Sequence, residues 1–289
     1  MPTTSDYLTQ LQTDKQTLAT NINEKGVSTT GEETFTELAS MVSQIQTGGG
    51  DISKYFVDDI GTSKDILRLF KKIPEFSFNG DTCDSMFKNC TNLEEVSLGD
   101  FDTSGVTSFA YMFQNCHSLK RLDLSSFDTS YVIAGTFTSM FQDCESLEEI
   151  TIGNWDMTYA TTLNSMFRNC SSLESLDLSS WGMSSVGNFA YMFQNCSSLK
   201  SINLSNFDIT SGFSSSSLTS NTFTGCNALE ELDMRSFDFT KVTGSALRNF
   251  VSGIPVNCLV IVEDTTQKTY LNTNASRLLN VKTKDEIIG

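Results

Sequence analysis

An α+β solenoid of short parallel strands, about six full coils plus caps, preceded by an N-terminal helical hairpin, is the architecture this chain predicts. Three observations predict it. The motif Met-Phe-x-x-Cys-x-x-Leu recurs, and its cysteines, Cys90, Cys116, Cys144, Cys170, Cys196 and Cys226, lie 26, 28, 26, 26 and 30 residues apart. A fixed period in the twenties marks units that cannot bury an apolar face alone and so stack on their neighbours. After each motif leucine comes an alternating run, as in Leu119-Lys-Arg-Leu-Asp-Leu124, Leu147-Glu-Glu-Ile-Thr-Ile152 and Leu173-Glu-Ser-Leu-Asp-Leu178. Its period of two describes a strand with apolar residues inward and polar residues outward. Beyond each strand an aromatic returns, Phe101, Phe127, Trp155, Trp181, Phe207 and Phe237, and these residues should stack as an interior wall.

Taken in order, residues 1–47 predict a helical hairpin. Leu8, Leu11, Leu18 and Ile22 fall at helical spacing before Gly26, and Thr30-Gly-Glu-Glu33 has the pattern of a capping box. Phe35, Leu38, Val42 and Ile45 then make one apolar seam. So few residues with so narrow a seam cannot bury much core, so the seam should meet a second copy or another protein, the plainer alternative being a hairpin folded only on itself. Residues 48–50 are a Gly-Gly-Gly linker. Residues 51–82 predict an N-terminal cap built on the amphipathic helix Ser63–Ile73, stopped by Pro74. The solenoid proper is assigned to 83–258. Residues 259–289 form a C-terminal cap, with a last strand in Cys258-Leu-Val-Ile-Val262 and a helix or turn over Asp264–Asn272.

Composition bounds the function. The 289 residues are 38% hydrophobic, low for a compact globule but suited to turn-rich coils. Asp and Glu number 35 against 19 Lys and Arg, with no basic stripe, which argues against nucleic acid or an anionic membrane as partner. No run of about 20 apolar residues is present, so no membrane insertion is expected. Met1-Pro-Thr-Thr-Ser-Asp6 lacks the basic and apolar regions of a secretory signal.

The chemistry-bearing residue types fall into repeat positions. Six cysteines sharing one position predict a ladder of small buried side chains pointing the same way, a poor geometry for disulfides. There is no Cys-x-x-Cys pair for zinc. Cys83 takes a position filled by Phe109, Phe137, Leu163 and Phe189 in later copies and reads as core. Asp102, Asp128, Asp156, Asp208 and Asp238 each follow the wall aromatic and precede a Ser or Thr two residues on, the pattern of a side chain capping a turn. A calcium ladder there is the weaker alternative, since calcium wants six or more oxygens and Gly182 interrupts the series. His117, the one histidine, aligns with Thr91, Glu145, Ser171, Ser197 and Asn227, an interchangeable turn position around which no triad assembles. The sequons at Asn89, Asn169 and Asn195 fall within the repeat core and read as repeat grammar. No catalytic residue, metal site or cofactor is expected.

Copies such as Tyr111-Met-Phe-Gln-Asn-Cys-His-Ser-Leu-Lys-Arg-Leu-Asp-Leu-Ser-Ser-Phe-Asp-Thr-Ser130 resemble the BspA-like leucine-rich repeats of bacterial surface proteins, in the subtype first filed as a Mycoplasma domain of unknown function. The resemblance covers about 83–262 and implies a leucine-rich-repeat solenoid engaged in adhesion or protein interaction, with no catalytic residues. The leader Asp14–Val27, followed by Glu33-Thr-Phe-Thr-Glu-Leu38, resembles N-terminal segments of tail and baseplate-associated proteins of phages of Gram-positive bacteria. The segments Ile254–Cys258, Tyr270–Asn274 and Leu279–Thr283 are similar to the endings of the same phage-borne repeat proteins.

Two surfaces are candidates for ligand contact. The outward strand positions Glu95, Arg121, Asp123, Glu149, Asp177, Glu231 and Asp233 form an acidic, mixed-polarity sheet face. The return segments carry every length change: Tyr131–Ser139 has two extra residues and Ser211–Asn221 four. Solenoid insertions collect on one edge, often the binding edge. Tyr131, Tyr159 and Phe213 lie there and would stack on a sugar, pack on a protein, or be buried in the return wall. The expectation is a virion component, tail or baseplate associated, assembled in the host cytoplasm and exposed outside the cell. Its hairpin would dock on other virion proteins or make a homo-oligomer, and its solenoid would touch a host-envelope glycan or surface protein. The rivals are a bacterial cell-surface adhesin and an intracellular protein-interaction scaffold.

Overall fold

The computed structural model describes residues 82–288 apart from 92, 99–102, 133–136, 182–185, 208–218, 243 and 279. The hairpin, the glycine linker and all but Thr82 of the predicted N-terminal cap lie outside the described residues, as do Phe101, Asp102, Asp208 and Phe213. The rest is a mostly parallel solenoid of the leucine-rich-repeat kind with short helices at its C-terminal end.

Each coil supplies one strand: β1 Glu95–Ser97, β2 Arg121–Leu124, β3 Glu149–Ile152, β4 Ser175–Asp177, β5 Ser201–Asn203 and β6 Glu231–Asp233. Two further strands, β7 Leu259–Val262 and β8 Val281–Thr283, pair in the same parallel sense, so the strand stack runs on past residue 258. The alternation seen in sequence is the burial pattern: in β2, Leu122 and Leu124 are buried and Arg121 and Asp123 exposed. Asp233 departs from it. Expected outward, it is only 7% exposed, because Arg235 folds back to place Nε 3.0 Å from both carboxylate oxygens.

The opposite side of each coil carries a second ladder, which the strand pattern does not announce. Phe87 N donates to Met112 O at 2.7 Å and Asn89 N to Gln114 O at 2.8 Å; Phe113 and Asn115 repeat this toward Met140 and Gln142. Two residues four apart in each copy have positive φ there: Asn89, Asn115, Asp143, Asn169 and Asn195 before the cysteine, and Ser85, Tyr111, Ser139, Ser165, Tyr191 and Asn221 before the Met-Phe position. Asn and Asp tolerate that conformation because their short polar side chains bond locally. Gly225 (φ +87) completes the first series in the sixth copy, where a Cβ would lie 2.4 Å from Asn195 Oδ1.

Between the two ladders lies the core. Phe87, Phe113, Phe141, Phe167, Phe193 and Phe223 stack with successive centroids 5.2–5.9 Å apart. The wall aromatics stack at three steps, Phe127–Trp155 at 6.4 Å, Trp155–Trp181 at 5.5 Å and Phe207–Phe237 at 6.3 Å, while Phe207 meets Phe189 at 5.8 Å. Offset-stacked rings contribute about 0.5–1.5 kcal/mol per pair beyond the area they bury. The ladder thiols fill the space beside them, and each donates to the preceding coil's phenylalanine carbonyl: Cys116 to Phe87, Cys144 to Phe113, Cys170 to Phe141, Cys196 to Phe167 and Cys226 to Phe193, at 3.0–3.2 Å. The loosened sixth copy, with Thr222 in place of methionine, buries a hydroxyl at no loss because it reaches Phe189 O (3.1 Å) and Thr219 O (3.0 Å).

The C-terminal end is closed by α1 Gly244–Val251, α2 Thr265–Asn274 and α3 Asp285–Ile288. Phe250 of α1 meets Phe223 edge-on at 5.3 Å and Phe237 at 5.6 Å, terminating both ring columns. Asp264 caps α2 by accepting from Thr266 N and Gln267 N.

One step of the stack is different. The strands form two sheets, β1-β2-β3 and β4-β5-β6-β7-β8, with no ladder between β3 and β4. The bond that leads into each neighbouring pair, such as Lys120 N to Glu94 O or Lys200 N to Glu174 O, has no counterpart between Glu174 and Glu148. Trp155 Nε1 donates to Leu124 O at 3.3 Å; the indole N–H of Trp181, facing the equivalent step, is buried without a partner. Ile150 and Ile152 are only half-buried. The third copy's turn also differs from the others. Trp155 N bonds Gly153 O, where Phe127, Trp181, Phe207 and Phe237 all reach three residues back, and a Cβ on Gly153 would lie 2.5 Å from Ser125 O. This turn's backbone sits close against the coil before it. The second ladder crosses the same step unbroken, with Phe141 N to Met166 O at 2.9 Å and Asp143 N to Arg168 O at 2.8 Å.

Candidate functional site

The two exposed tyrosines of the return edge are built by the same local device. After the wall aromatic, the Asp128 carboxylate accepts Ser130 N at 2.9 Å, and the Asp156 carboxylate accepts Thr158 N at 2.9 Å. A turn closes over each, Val132 N to Thr129 O at 3.0 Å and Ala160 N to Met157 O at 3.0 Å. Val132 and Ala160 point inward, 2% and 1% exposed; Tyr131 and Tyr159, one residue earlier, are 63% and 61% exposed. Burial in the return wall, one of the options left by the sequence, is therefore not what these rings do. They occupy the same repeat position on adjacent coils, where the preceding copy has Gly105.

The base of this edge is stiff. Thr103 Oγ1 lies 3.1 Å from Asp128 O and accepts Asp128 N at 2.7 Å, and Thr129 Oγ1 donates to Asp156 O at 3.2 Å; both threonines are buried. The hydrogen bonds from Thr158, side chain first and backbone second, hold the Asp156 carboxyl below its usual range, so it stays ionised at neutral pH. The Asp238 carboxyl is lowered in the same way, first by the Thr240 hydroxyl. Among the described residues no group of three or more His, Cys, Asp or Glu could hold a metal ion.

On the sheet face Arg121, Asp123, Glu149 and Asp177 are exposed, and Glu95 stands in register with Arg121 on β1. Asp123 and Asp177 also serve their own backbone, accepting Ser125 N and Ser179 N at 2.9 Å. The first of these bonds lowers the Asp123 carboxyl from its usual range. The structure thus gathers Tyr131 and Tyr159 on one edge and the strand residues on another face, and Phe213 lies outside the described residues. His117 sits on a turn with Nδ1 3.7 Å from Glu145, its aligned residue in the next coil.

Sequence reasoning passed over a second aromatic set. Tyr111 and Tyr191 share the positive-φ position before Met-Phe, and each ring is covered by a cation from the preceding coil: Lys88 Nζ 5.0 Å from the Tyr111 centroid, and Arg168 5.7 Å from that of Tyr191. The signal was present as Tyr-Met-Phe-Gln-Asn-Cys in two copies, each preceded one coil earlier by Lys or Arg in the place of the glutamine.

A family model described as "Mycoplasma protein of unknown function, DUF285" matches residues 79–151 and 135–250. No curated protein matches the chain. Among solved structures, the chain is similar to one titled "Crystal structure of TLR13-ssRNA13 complex", at 15% identity and a TM-score of 0.35. That alignment covers 76% of this chain and 33% of the other, so the chain spans about a third of that protein's length.

Proposed function

The chain belongs to the DUF285 family, and from that premise we propose that it is a non-catalytic binding protein that adheres to a cell-envelope surface through the edge bearing Tyr131 and Tyr159. The observation that carries this is the pair of rings, each more than 60% exposed at one repeat position, on a backbone tied down by buried threonines. An exposed aromatic costs little side-chain entropy to immobilise and offers a flat apolar contact, which suits a recognition surface on a rigid scaffold. The cell-surface adhesin is the form of this reading with most support, since the family is described from Mycoplasma, a cellular organism. The finer assignment, a tail or baseplate component of a phage of Gram-positive bacteria, rests on the resemblance of residues 14–38 and is a second reading; labelling of purified virions separates the two.

The test is binding of the full chain to purified walls of Gram-positive bacteria, compared with a Tyr131→Ser/Tyr159→Ser variant. The variant is expected to lose at least 10-fold in wall binding while its melting temperature stays at the parent's, because neither ring is packed. Full wall binding by the folded variant moves the contact surface elsewhere.

A further inference from the structure

We propose that Tyr131 and Tyr159, with the Asp128 and Asp156 carboxylates at their bases, form a strip that binds an uncharged glycan. The inference rests on the binding reading above and names the ligand class of that same edge. Each ring stands three residues after its aspartate in the same turn, so the two coils repeat one pairing of an exposed apolar plane with an exposed acceptor. Because the residues align across neighbouring coils, the pairing runs along the solenoid axis and suits a chain of repeating units better than a single compact ligand. A carboxylate has two oxygens with about four acceptor sites, more than the one or two bonds its turn uses. Hydroxyl-rich rings fit both halves: their C–H faces lie on the tyrosines and their hydroxyls donate to the carboxylates.

Charge decides between glycan classes. From Ser125 to Ser139 and from Gly153 to Ser165 there is no Lys or Arg, and the equivalent stretches of the coils on either side, Gly99–Tyr111 and Ser179–Tyr191, have none either. A sulfated, phosphorylated or uronate-bearing polymer would meet two carboxylates with no counter-charge, on a chain of net charge −16. The basic residues that do flank tyrosines, Lys88 and Arg168, are engaged over Tyr111 and Tyr191 instead. The edge therefore selects against anionic wall polymers and for neutral saccharides.

The experiment uses the full chain on biosensor surfaces carrying N-acetylglucosamine oligosaccharides, dextran or dextran sulfate, at physiological salt. The expected result is binding to at least one neutral surface and none to dextran sulfate. The Tyr131→Ser/Tyr159→Ser variant should lose at least 10-fold, and an Asp128→Asn/Asp156→Asn variant several-fold. Asparagine still caps the turn, so this second variant keeps the fold while removing the charge. Preference for dextran sulfate, or failure to bind either neutral surface, overturns the glycan assignment. If the tyrosine variant nonetheless loses wall binding, the edge remains the contact surface and its ligand is something other than an uncharged glycan. If that variant keeps full wall binding, the edge reading itself falls.

Discussion

At the residue scale, one chemical group repeated at one position gives the fold both its packing and a pH limit. Burial holds the thiols protonated: desolvation raises Cys116, Cys170 and Cys196 well above the ordinary thiol value and pushes Cys226 and Cys258 up to about 12. Below pH 9.0, the ordinary value, folded and unfolded chains both keep these protons and the contribution is whole. Above it the unfolded chain releases protons that the folded chain retains, so stability falls as pH rises toward 12. The melting temperature should therefore decline from pH 9 upward, and less steeply for Cys196→Ala. Thiol titration at neutral pH without reductant should find the eight described sulfhydryls, all buried, only after denaturation. The ladder was legible because one residue type marks one position. The positive-φ residue before Met-Phe was not, since Ser, Tyr and Asn share it and have only backbone conformation in common. At the asparagine position the conformation sets a second expectation. Asn169→Ala should cost about 1–2 kcal/mol in urea unfolding for a left-handed residue with a Cβ. It also loses the Nδ2 bond to Asp143 and the bond received from Asn195 Nδ2 at 2.8 Å. Asn169→Gly should cost less, because glycine keeps the conformation free of strain. Equal costs would show that the side-chain ladder, not the backbone, sets the preference.

At the element scale, the strands followed from alternation alone, and the seam between β3 and β4 did not. Leu147-Glu-Glu-Ile-Thr-Ile152 alternates like every other copy, and a strand's pattern says which face is buried but not whether its edge finds a neighbour. The one local sign was Gly153-Asn154 where the second and fourth copies have Ser-Ser. With its ladder bonds missing and two isoleucines half-buried, this step depends on Phe141–Phe167, Trp155–Trp181 and the second ladder. Hydrogen exchange should show this directly. Amides of Glu149–Ile152 and Ser175–Asp177 are expected to exchange faster than those of β2 and the amides of β5 that face β6, because local opening there breaks fewer backbone bonds. Uniform protection along all six coil strands would contradict the seam. Gly153→Ala is the companion substitution: a Cβ 2.5 Å from a backbone oxygen cannot be relieved by a rotamer change. It should destabilise by about 1–3 kcal/mol, the range for overpacking, whereas Gly187→Ala, with nothing within 4 Å of its Cβ, should be near neutral by thermal melt.

At the scale of the whole molecule, the solenoid has no single centre. Each coil's phenylalanine, cysteine and leucine pack in one core cluster with those of its neighbours, and the rows that follow the stack are the phenylalanine and thiol ladders, while the sheet is interrupted once and the tyrosine edge spans two coils. The stack was legible from sequence because the period is written in residues that must be buried, while the tyrosine edge was only half legible, since exposure depends on which turn residue points out. In such an array stability is close to a sum of coil terms and nearest-neighbour terms, so whole coils should be removable and parts of coils should not. Excising the 26 residues Ser165–Ala190 joins Asn164 to Tyr191, which takes the place of Ser165 before Met-Phe, and restores the repeat register. The shortened chain should keep its far-ultraviolet dichroism per residue and unfold cooperatively, at a lower temperature because one set of stacked rings and ladder bonds is gone. Excising only Ser165–Asp177, half as many residues, joins Asn164 to Leu178 and leaves a coil without its Met-Phe turn, its cysteine or its strand. That chain should lose cooperative unfolding and expose thiols at neutral pH. If the 26-residue excision unfolds the protein as completely as the half-coil excision, stability belongs to the assembled stack as a unit and nearest-neighbour additivity fails for this molecule.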